Sequence, residues 1–173
     1  MNIAIISSSL NPQSKSRDVA RALENQLASA EGVSVDFIDL QELPLPICDG
    51  GAAYGDPNTV ALNERMESAD AYVIATPIYN YGMNAALKNW MELSGRKMEG
   101  KVAGILCSAG GAMSYMSPMA IANALMLDFR VIILPRFVYT TGADWDGPEL
   151  KSEIAGRLQQ FGNDFLSLAR KLA

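Results

Sequence analysis

The sequence predicts a single α/β domain over residues 1–173, with helices on both faces of a five-stranded parallel sheet. Three observations lead to this fold class. The length of 173 residues suits one domain, and an apolar content of 49% supplies a sizeable core. Short apolar runs without alternation are typical of strands that are buried on both faces. Amphipathic helical patterns separate these runs, so strands and helices alternate along the chain.

Five apolar runs rich in branched side chains are the predicted strands. They are Ile3–Ile6, Val33–Ile38, Ala71–Ala75, Val102–Leu106 and Val131–Leu134. The third run leads into Thr76 and Pro77. Because proline has no N–H to donate to a β-ladder, Pro77 is expected to end that strand.

Helical patterns occupy the segments between and after these strands. In the first helix, Val19, Leu23 and Leu27 recur at every fourth residue. The last helix shows an apolar stripe from Leu150 to Leu172, and Pro148 is expected in its first turn. The other predicted helices are Asn58–Ser68 (with Asp56 or Asn58 as its cap), Ala85–Gly95 and Ser117–Phe129.

This alternation favours a three-layer, doubly wound sheet of the flavodoxin-like kind, with right-handed crossovers and strand order 2-1-3-4-5. Ligands of such sheets bind beyond the carboxyl ends of the strands, close to the switch point between strands one and three. The loops after strands one, three and four are therefore expected to lie together and to form the functional site.

Composition excludes several classes of function. The chain has no histidine, which excludes Ser–His and Cys–His catalysis and removes the commonest metal ligand. Two distant cysteines, Cys48 and Cys107, indicate neither a zinc site nor a disulfide framework, so no metal is expected. The lack of a disulfide framework leads us to expect a reducing, cytoplasmic location. A net charge of −5 without a basic stripe argues against nucleic acid, and no signal peptide or membrane span is expected.

The loop after the first strand, Ser7–Arg17, holds five serines, one asparagine and two cations and leads into a helix. Hydroxyls, backbone N–H groups and a helix N-terminus together are typical of a phosphate site. The alternative is a capped helix inside a polar loop. The loop contains no glycine, which excludes both the Walker A motif and the dinucleotide fingerprint.

The other two loops suit a flat ring. In Pro77–Gly82, Tyr79 and Tyr81 offer aromatic faces and Asn80 offers a hydrogen-bonding amide, although a plain turn would have a similar composition. In the loop after the fourth strand, Gly110-Gly111 would let the backbone come close to a ligand. A phosphate at one end and a flat ring at the other describe FMN.

The chain resembles the NADPH-dependent FMN reductase family of flavodoxin-like proteins over nearly its whole length. Ser8-Ser9-Leu10, followed by Ser14–Arg17, is similar to the family's phosphate loop, Gly-Ser-x-Arg with serines several residues later. Thr76–Asn80 and Ala86–Asn89 resemble its most specific signature, Pro-x-Tyr-Asn with Leu-Lys-Asn beyond. Ser108–Gly111 is similar to its Ser-x-Gly-Gly.

The resemblance implies FMN as the cofactor and NADPH as the electron donor. It implies cofactor-binding roles for Ser9, Asn11, Ser14, Ser16 and Arg17 at the phosphate, for Pro77, Ile78, Tyr79, Asn80, Tyr81 and Gly82 along the ring and ribityl side, and for Ser108, Ala109, Gly110 and Gly111 at the pyrimidine edge. Ser8 stands where the family usually has glycine, and Asn11 replaces a common arginine. No catalytic side chain is expected, since the cofactor carries the chemistry.

The resemblance implies an NAD(P)H-dependent FMN oxidoreductase that passes hydride from NADPH to FMN and electrons on to a small-molecule acceptor. Free flavin, a quinone, an azo compound and a metal ion are all open as acceptors, and a homodimer or homotetramer is expected. The alternative is a non-enzymatic electron carrier of the flavodoxin type. A phospho-receiver domain, which needs aspartates where this chain has Ser7–Ser9, and a flavin-free nucleotide-binding module are further alternatives.

Overall fold

A computed structural model describes residues 1–172 and confirms the doubly wound α/β fold. Its strands are β1 (Asn2–Ser7), β2 (Ser34–Asp39), β3 (Ala71–Tyr79), β4 (Gly82–Met83), β5 (Val102–Ser108), β6 (Ile132–Thr140), β7 (Trp145–Asp146) and β8 (Glu149–Leu150). Its α-helices are α1 (Lys15–Ala28), α2 (Pro57–Ser68), α3 (Ala85–Ser94), α4 (Pro118–Phe129) and α5 (Ser152–Leu172).

The five long strands form a parallel sheet in the order β2-β1-β3-β5-β6. This is the predicted order 2-1-3-4-5 once the two-residue strand β4, which folds back antiparallel onto β3, is set apart. Strands β7 and β8 form a separate small hairpin before α5. The sheet topology thus places the switch point between β1 and β3, as expected for this order.

Two apolar cores, one on each face of the sheet, hold the layers together. Helices α1 and α5 pack on one face, where Leu23 and Phe161 are fully buried. Helices α2, α3 and α4 pack on the other face, where Leu62, Trp90 and Leu125 are fully buried. Because helices cover both faces, the three central strands β1, β3 and β5 consist of nearly continuous apolar residues, which is the pattern that predicted them.

Polar caps fix where three helices begin. The side chains of Ser14, Asp56 and Asn84 accept hydrogen bonds from backbone N–H groups in the first turns of α1, α2 and α3, respectively. Such caps stabilise a helix by about 1 kcal/mol each. Asp56 was one of the two caps proposed for α2 from sequence, and it is confirmed.

The positions of three prolines differ from what their chemistry suggests. Pro77 does not end β3, which continues to Tyr79, because β1 pairs with β3 only as far as Ala75 and the missing N–H falls at the end of the ladder. Pro148 lies in the turn between β7 and β8, and α5 begins at Ser152. Strand β6 runs beyond the predicted Leu134 through Pro135, which an edge strand tolerates at a register shift.

Within residues 1–172, none of the helices combines the length and the hydrophobicity that crossing a membrane would require.

Candidate functional site

Three loops leave the sheet at adjacent positions. At the carboxyl edge, Ser7 of β1 lies opposite Ala75 of β3, and Pro77 of β3 lies opposite Ser108 of β5. The Ser8 N–H donates to the Ala75 carbonyl oxygen at 2.9 Å, so the first loop begins hydrogen-bonded to β3. The loops after β1, β3 and β5 therefore start side by side, as the strand order requires.

The first loop, residues 8–14, buries hydroxyl groups at the start of α1. Ser9, Ser14 and Ser16 are 1%, 5% and 2% exposed. Ser14 Oγ accepts a hydrogen bond from the Arg17 N–H at 3.2 Å and lies 3.0 Å from Ser16 Oγ. The other N–H groups in the first turn of a helix have no intrahelical acceptor, so those of Lys15 and Ser16 are free to bind an anion.

Arg17 braces this loop from behind. Its guanidinium forms a bidentate ion pair with Asp39 at the end of β2, with Nε 2.5 Å from Oδ2 and Nη2 3.1 Å from Oδ1. Its remaining N–H groups donate to the carbonyl oxygens of Ser9, Asn11 and Pro12. All five donors of the guanidinium thus have acceptors within the protein.

The other polar side chains of the first loop are oriented by contacts outside the buried serines. Asn11 is exposed, and its Oδ1 accepts a hydrogen bond from the Gln13 N–H at 2.9 Å. The ammonium of Lys15 lies 3.9 Å from the centroid of the Trp145 ring and 3.6 Å from an Asp18 carboxylate oxygen. Lys15 is therefore the cation of this segment that does not belong to the Arg17–Asp39 network.

The second loop is a tight hairpin turn with an unusual backbone. Asn80 and Tyr81 are both left-handed, with φ values of 51° and 62°, and β4 returns from them to pair with β3. A left-handed non-glycine residue is unfavourable, more so for tyrosine than for asparagine. Pro77 and Ile78 are buried below the turn, whereas Tyr79 and Tyr81 are 53% and 67% exposed at its tip.

Asn84, which the sequence did not mark as part of the site, joins the first two loops. It is 6% exposed, caps α3, and bonds to Ser8 and Thr76 through its amide. The signal for its capping role was present, because asparagine directly before a helix is a preferred N-cap. Its bonds to Ser8 join residues 76 positions apart, and no local pattern predicts such a contact.

The third loop is fixed at its base and open at its tip. Ser108 Oγ lies 2.7 Å from Thr140 Oγ1, and the Ala109 N–H donates to the Thr140 carbonyl oxygen at 2.8 Å. The Tyr139 hydroxyl lies 2.6 Å from the Gly111 carbonyl oxygen. Among residues 1–172, no atom would come within 4 Å of a Cβ added to Gly110 or Gly111. Packing inside the protein therefore does not explain why these two residues are glycine.

Two cavities lie beside this edge rather than on it. One cavity, of about 880 Å³, lies on the α2–α3–α4 face. It is lined by residues such as Asn63, Lys88 and Asn123, none of them from the three loops. A second, mainly apolar cavity of about 470 Å³ borders the first loop at Leu10 and the start of α3 at Ala85. In doubly wound sheets ligands bind at the carboxyl edge, so the three loops are the stronger candidate.

A search of residues 1–172 finds no group of three cysteine, aspartate or glutamate side chains arranged to hold a metal ion. The carboxylate of Asp39 is paired with Arg17, and that of Asp18 lies near Lys15. The donors that face a ligand at this edge are therefore neutral hydroxyl, amide and backbone N–H groups.

Comparison with known proteins gives a family match and several relatives. The family model described as NADPH-dependent FMN reductase matches residues 1–146. A probable NADPH:quinone oxidoreductase 2 of Oryza sativa subsp. japonica is 28% identical over 173 aligned residues, covering 91% of this chain and 85% of the rice protein. An FMN-dependent NADH:quinone oxidoreductase of Shewanella frigidimarina is 34% identical over 116 residues, covering 51% of this chain and 59% of that relative, less than two thirds of its length.

Solved structures share the fold. The flavoenzyme NAD(P)H:(acceptor) oxidoreductase FerB of Paracoccus denitrificans superposes with a TM-score of 0.80 at 22% identity, covering 99% of this chain and 98% of FerB. A flavodoxin from the domain Archaea superposes with a TM-score of 0.65 at 15% identity, covering 98% of each chain. At these identities, the two likenesses establish the flavodoxin-like fold.

Proposed function

Because the chain belongs to the NADPH-dependent FMN reductase family, we propose that it is an NAD(P)H-dependent oxidoreductase that holds FMN at the carboxyl edge of its sheet. The observation that carries the proposal is the convergence of three loops. One offers buried hydroxyls and helix N–H groups, the next offers exposed aromatic faces, and the third offers an open pair of glycines.

The donor set of the first loop fits a phosphomonoester. The Ser9, Ser14 and Ser16 hydroxyls and the N–H groups of Lys15 and Ser16 are neutral donors at a helix N-terminus, where the helix dipole favours an anion. Arg17 enters the proposal as the brace that shapes this cradle, since its donors already have acceptors. Lys15 supplies the nearby positive charge that the Asn11 amide does not.

The other two loops fit the two sides of a flat, polar-edged ring. The Pro77–Gly82 loop, with Ile78, Asn80 and Tyr81 among its residues, offers an apolar wall, an amide and aromatic faces. Ser108–Gly111 offers backbone N–H groups, and Gly110 and Gly111 leave space for a ring edge to approach them. This division reproduces the roles that the resemblance implies.

The chemistry that FMN supplies when bound is acceptance of hydride from NAD(P)H and transfer of electrons to an acceptor. The residues of this chain would bind and orient the flavin, and the N–H groups of Gly110 and Gly111 would stabilise negative charge on its ring. None of the loop side chains is required to move a proton, which agrees with a site built from neutral donors. NADPH is the proposed donor.

A quinone is the proposed acceptor. The rice and Shewanella relatives are named as quinone oxidoreductases, and the exposed rings of Tyr79 and Tyr81 would give a planar acceptor an aromatic surface next to the flavin. Free flavin, an azo compound and a metal ion are the comparison substrates in the same assay. Ferric iron would not benefit from the aromatic surface, so replacement of Tyr81 should lower quinone reduction more than ferric reduction.

We extend the proposal to a homodimer or homotetramer. Met113, Tyr115, Met116 and Met119, which follow β5 beside the site, are 86%, 50%, 64% and 48% exposed. Methionine and tyrosine are enriched in protein interfaces, and such an apolar group on the surface is typical of a contact between subunits. Light scattering of the purified protein measures the mass directly, and a monomer at all concentrations would contradict this extension.

Flavin absorbance tests the proposed function. The protein is purified, supplied with FMN, and treated anaerobically with NADPH. We expect the bound flavin to bleach and a quinone to restore its colour. A yellow protein that stays oxidised would indicate a flavodoxin-type carrier, and a protein that binds no added FMN would contradict the proposal.

A paired variant locates the cofactor. Replacing Gly110 and Gly111 by valine should lower FMN affinity by at least about tenfold, because each side chain fills space that the ring edge needs. Gly142→Val is the matched control, since Gly142 also has open space around it and lies outside the three loops. Equal FMN affinity in the double variant and the control would place the ring elsewhere.

A further inference from the structure

The Asn84 side chain forms an unusually complete set of hydrogen bonds between two loops. Its Nδ2 donates to the Ser8 carbonyl oxygen at 2.7 Å, and its Oδ1 accepts from the Ser8 hydroxyl at 2.9 Å. The same Oδ1 lies 3.2 Å from Thr76 Oγ1 and accepts from the Leu87 N–H at 3.2 Å. Because Ser8 is bonded through both its hydroxyl and its carbonyl, the Asn84 amide fixes the orientation of Ser8 as well as its distance from Asn84.

These bonds are buried. Ser8 and Thr76 are fully buried and Asn84 is 6% exposed, so water cannot replace a lost partner without entering the protein. A buried polar group that loses its partner is destabilised by about 1–3 kcal/mol. The geometry between Ser8 and Asn84 is therefore well defined in the folded protein.

The turn next to Asn84 needs such support. Asn80 and Tyr81 hold consecutive left-handed conformations, and the chain then returns through Gly82 and Met83 directly to Asn84. Backbone conformations of this kind persist only where the surrounding structure fixes both ends of the segment. Strand β3 fixes one end of the turn, and Asn84 fixes the other.

We propose that Asn84 is a positioning residue that, through Ser8, sets the distance and angle between the phosphate loop and the ring loop. The identity of the ligand rests on the proposed function. The Asn84–Ser8 pair lies beneath the site. It aligns the phosphate subsite with the ring subsite, so that both ends of one flavin molecule can bind together. FMN needs both subsites in register, whereas riboflavin, which lacks the phosphate, needs only the ring subsite.

This difference between the two flavins separates positioning from general stability. If the loops lose their register, a seated ring no longer places the phosphate in its cradle, and the effective concentration of the phosphate there falls. The ratio of the riboflavin Kd to the FMN Kd then decreases. A variant that only destabilises the fold weakens both flavins by the same factor and leaves the ratio unchanged.

Two substitutions weaken the link between Asn84 and Ser8 to different degrees, and both keep the helix cap. Asn84→Ser retains an oxygen that can cap α3, as serine is a preferred N-cap, yet it is too short to reach Ser8. Ser8→Ala removes the hydroxyl bond alone. Ser94→Ala is the matched control, because Ser94 is a buried serine at the other end of α3 and its hydroxyl has no hydrogen-bond partner within residues 1–172.

The experiment measures both Kd values by fluorescence titration, together with amide hydrogen exchange of residues 79–83 in the ligand-free protein. We expect Asn84→Ser, which loses the bonds to Ser8 and Thr76, to lower the Kd ratio about tenfold. Ser8→Ala, which loses a single bond to Asn84, should lower it about threefold. Exchange of residues 79–83 should accelerate in both variants. Ser94→Ala should change neither quantity.

Two results would overturn the proposal: equal weakening of FMN and riboflavin in Asn84→Ser, or unchanged exchange at residues 79–83. A wild-type protein that binds no FMN would contradict the proposed function instead. In that case the exchange comparison, which needs no ligand, still decides whether Asn84 positions the ring loop. Faster exchange in Asn84→Ser but not in Ser94→Ala would support the positioning role by itself.

Discussion

The phosphate loop and the ring loop lie side by side at one edge of the sheet and are built in opposite ways. The first is held by buried hydrogen bonds, with buried serines and a guanidinium whose N–H groups all have acceptors. The second holds two left-handed non-glycine residues and leaves its tyrosine rings largely exposed. The hydrogen bonds and the ion pair of the first loop stabilise its conformation. The second loop keeps an unfavourable backbone conformation, which is typical of a segment selected for contact with a ligand.

The largest effect is expected at the brace of the phosphate loop. Arg17→Ala leaves the carboxylate of Asp39, whose side chain is 4% exposed, buried without its partner. Loss of one member of a buried ion pair typically costs about 3–5 kcal/mol. We expect a decrease of that size in the free energy of unfolding, measured by urea denaturation, and a loss of FMN binding because the cradle loses its shape.

The control for this prediction is an exposed ion pair of the same chemistry. Arg157 and Glu153 on α5 are paired with side chains 59% and 76% exposed. Arg157→Ala should change the free energy of unfolding by less than about 1 kcal/mol. A similarly small change in Arg17→Ala would show that the first loop does not depend on its brace, and the contrast between the two loops would then fail.

The ring loop should respond in the opposite direction. Tyr81→Gly removes a side chain from a left-handed residue with φ 62°, and relief of that strain is expected to stabilise the protein by about 1 kcal/mol. The same change removes an aromatic face, so the ratio of quinone reduction to ferric reduction should decrease. Thermal unfolding and steady-state kinetics measure the two effects.

Replacement of a residue with ordinary backbone angles provides the comparison. Tyr115→Gly removes a half-exposed tyrosine outside the turn, where no strain is relieved, and should destabilise the protein. If Tyr81→Gly also destabilised the protein, the turn would not be strained in the sense proposed, and the tyrosine would have to be explained by packing.

The smallest effect concerns the strand beneath the third loop. Burial raises the pKa of the Cys107 thiol well above its usual range, so its reactive thiolate is scarcer than in an exposed cysteine at any pH. Cys48 is partly exposed. A thiol reagent at pH 8 should therefore modify Cys48 alone in the native protein and both cysteines in denaturant. Rapid native labelling of Cys107 would show that water reaches the base of the site.

Much of the fold could be predicted from sequence because its signals are local. The five apolar runs gave the strands, and the strand order followed from alternation and right-handed crossovers. Two predictions were wrong for different reasons. Pro77 remains inside β3 because the ladder to β1, a strand distant in sequence, ends beside it. Pro148 lies in the turn of a small hairpin that its own sequence neighbours form, rather than in α5.

Less of the site could be predicted from the sequence, because its bonds join residues that are distant in the chain. The placement of the loops followed from the fold, but their internal bonding did not. Arg17, on α1, was proposed as a phosphate ligand. Its partner Asp39 lies 22 residues away in the sequence, at the end of β2. The Asn84 bonds to Ser8 likewise depend on the folded sheet. Residue type indicated what the loops could bind, whereas the contacts that shape them required the structure.

FMN is proposed to bind across the three loops, and an NMR titration of the isotope-labelled protein with FMN tests this most directly. We expect the amide signals of residues 9–17, 79–82 and 108–111 to shift together at one affinity. Shifts confined to the large cavity on the α2–α3–α4 face, around Asn63 and Asn123, would contradict it.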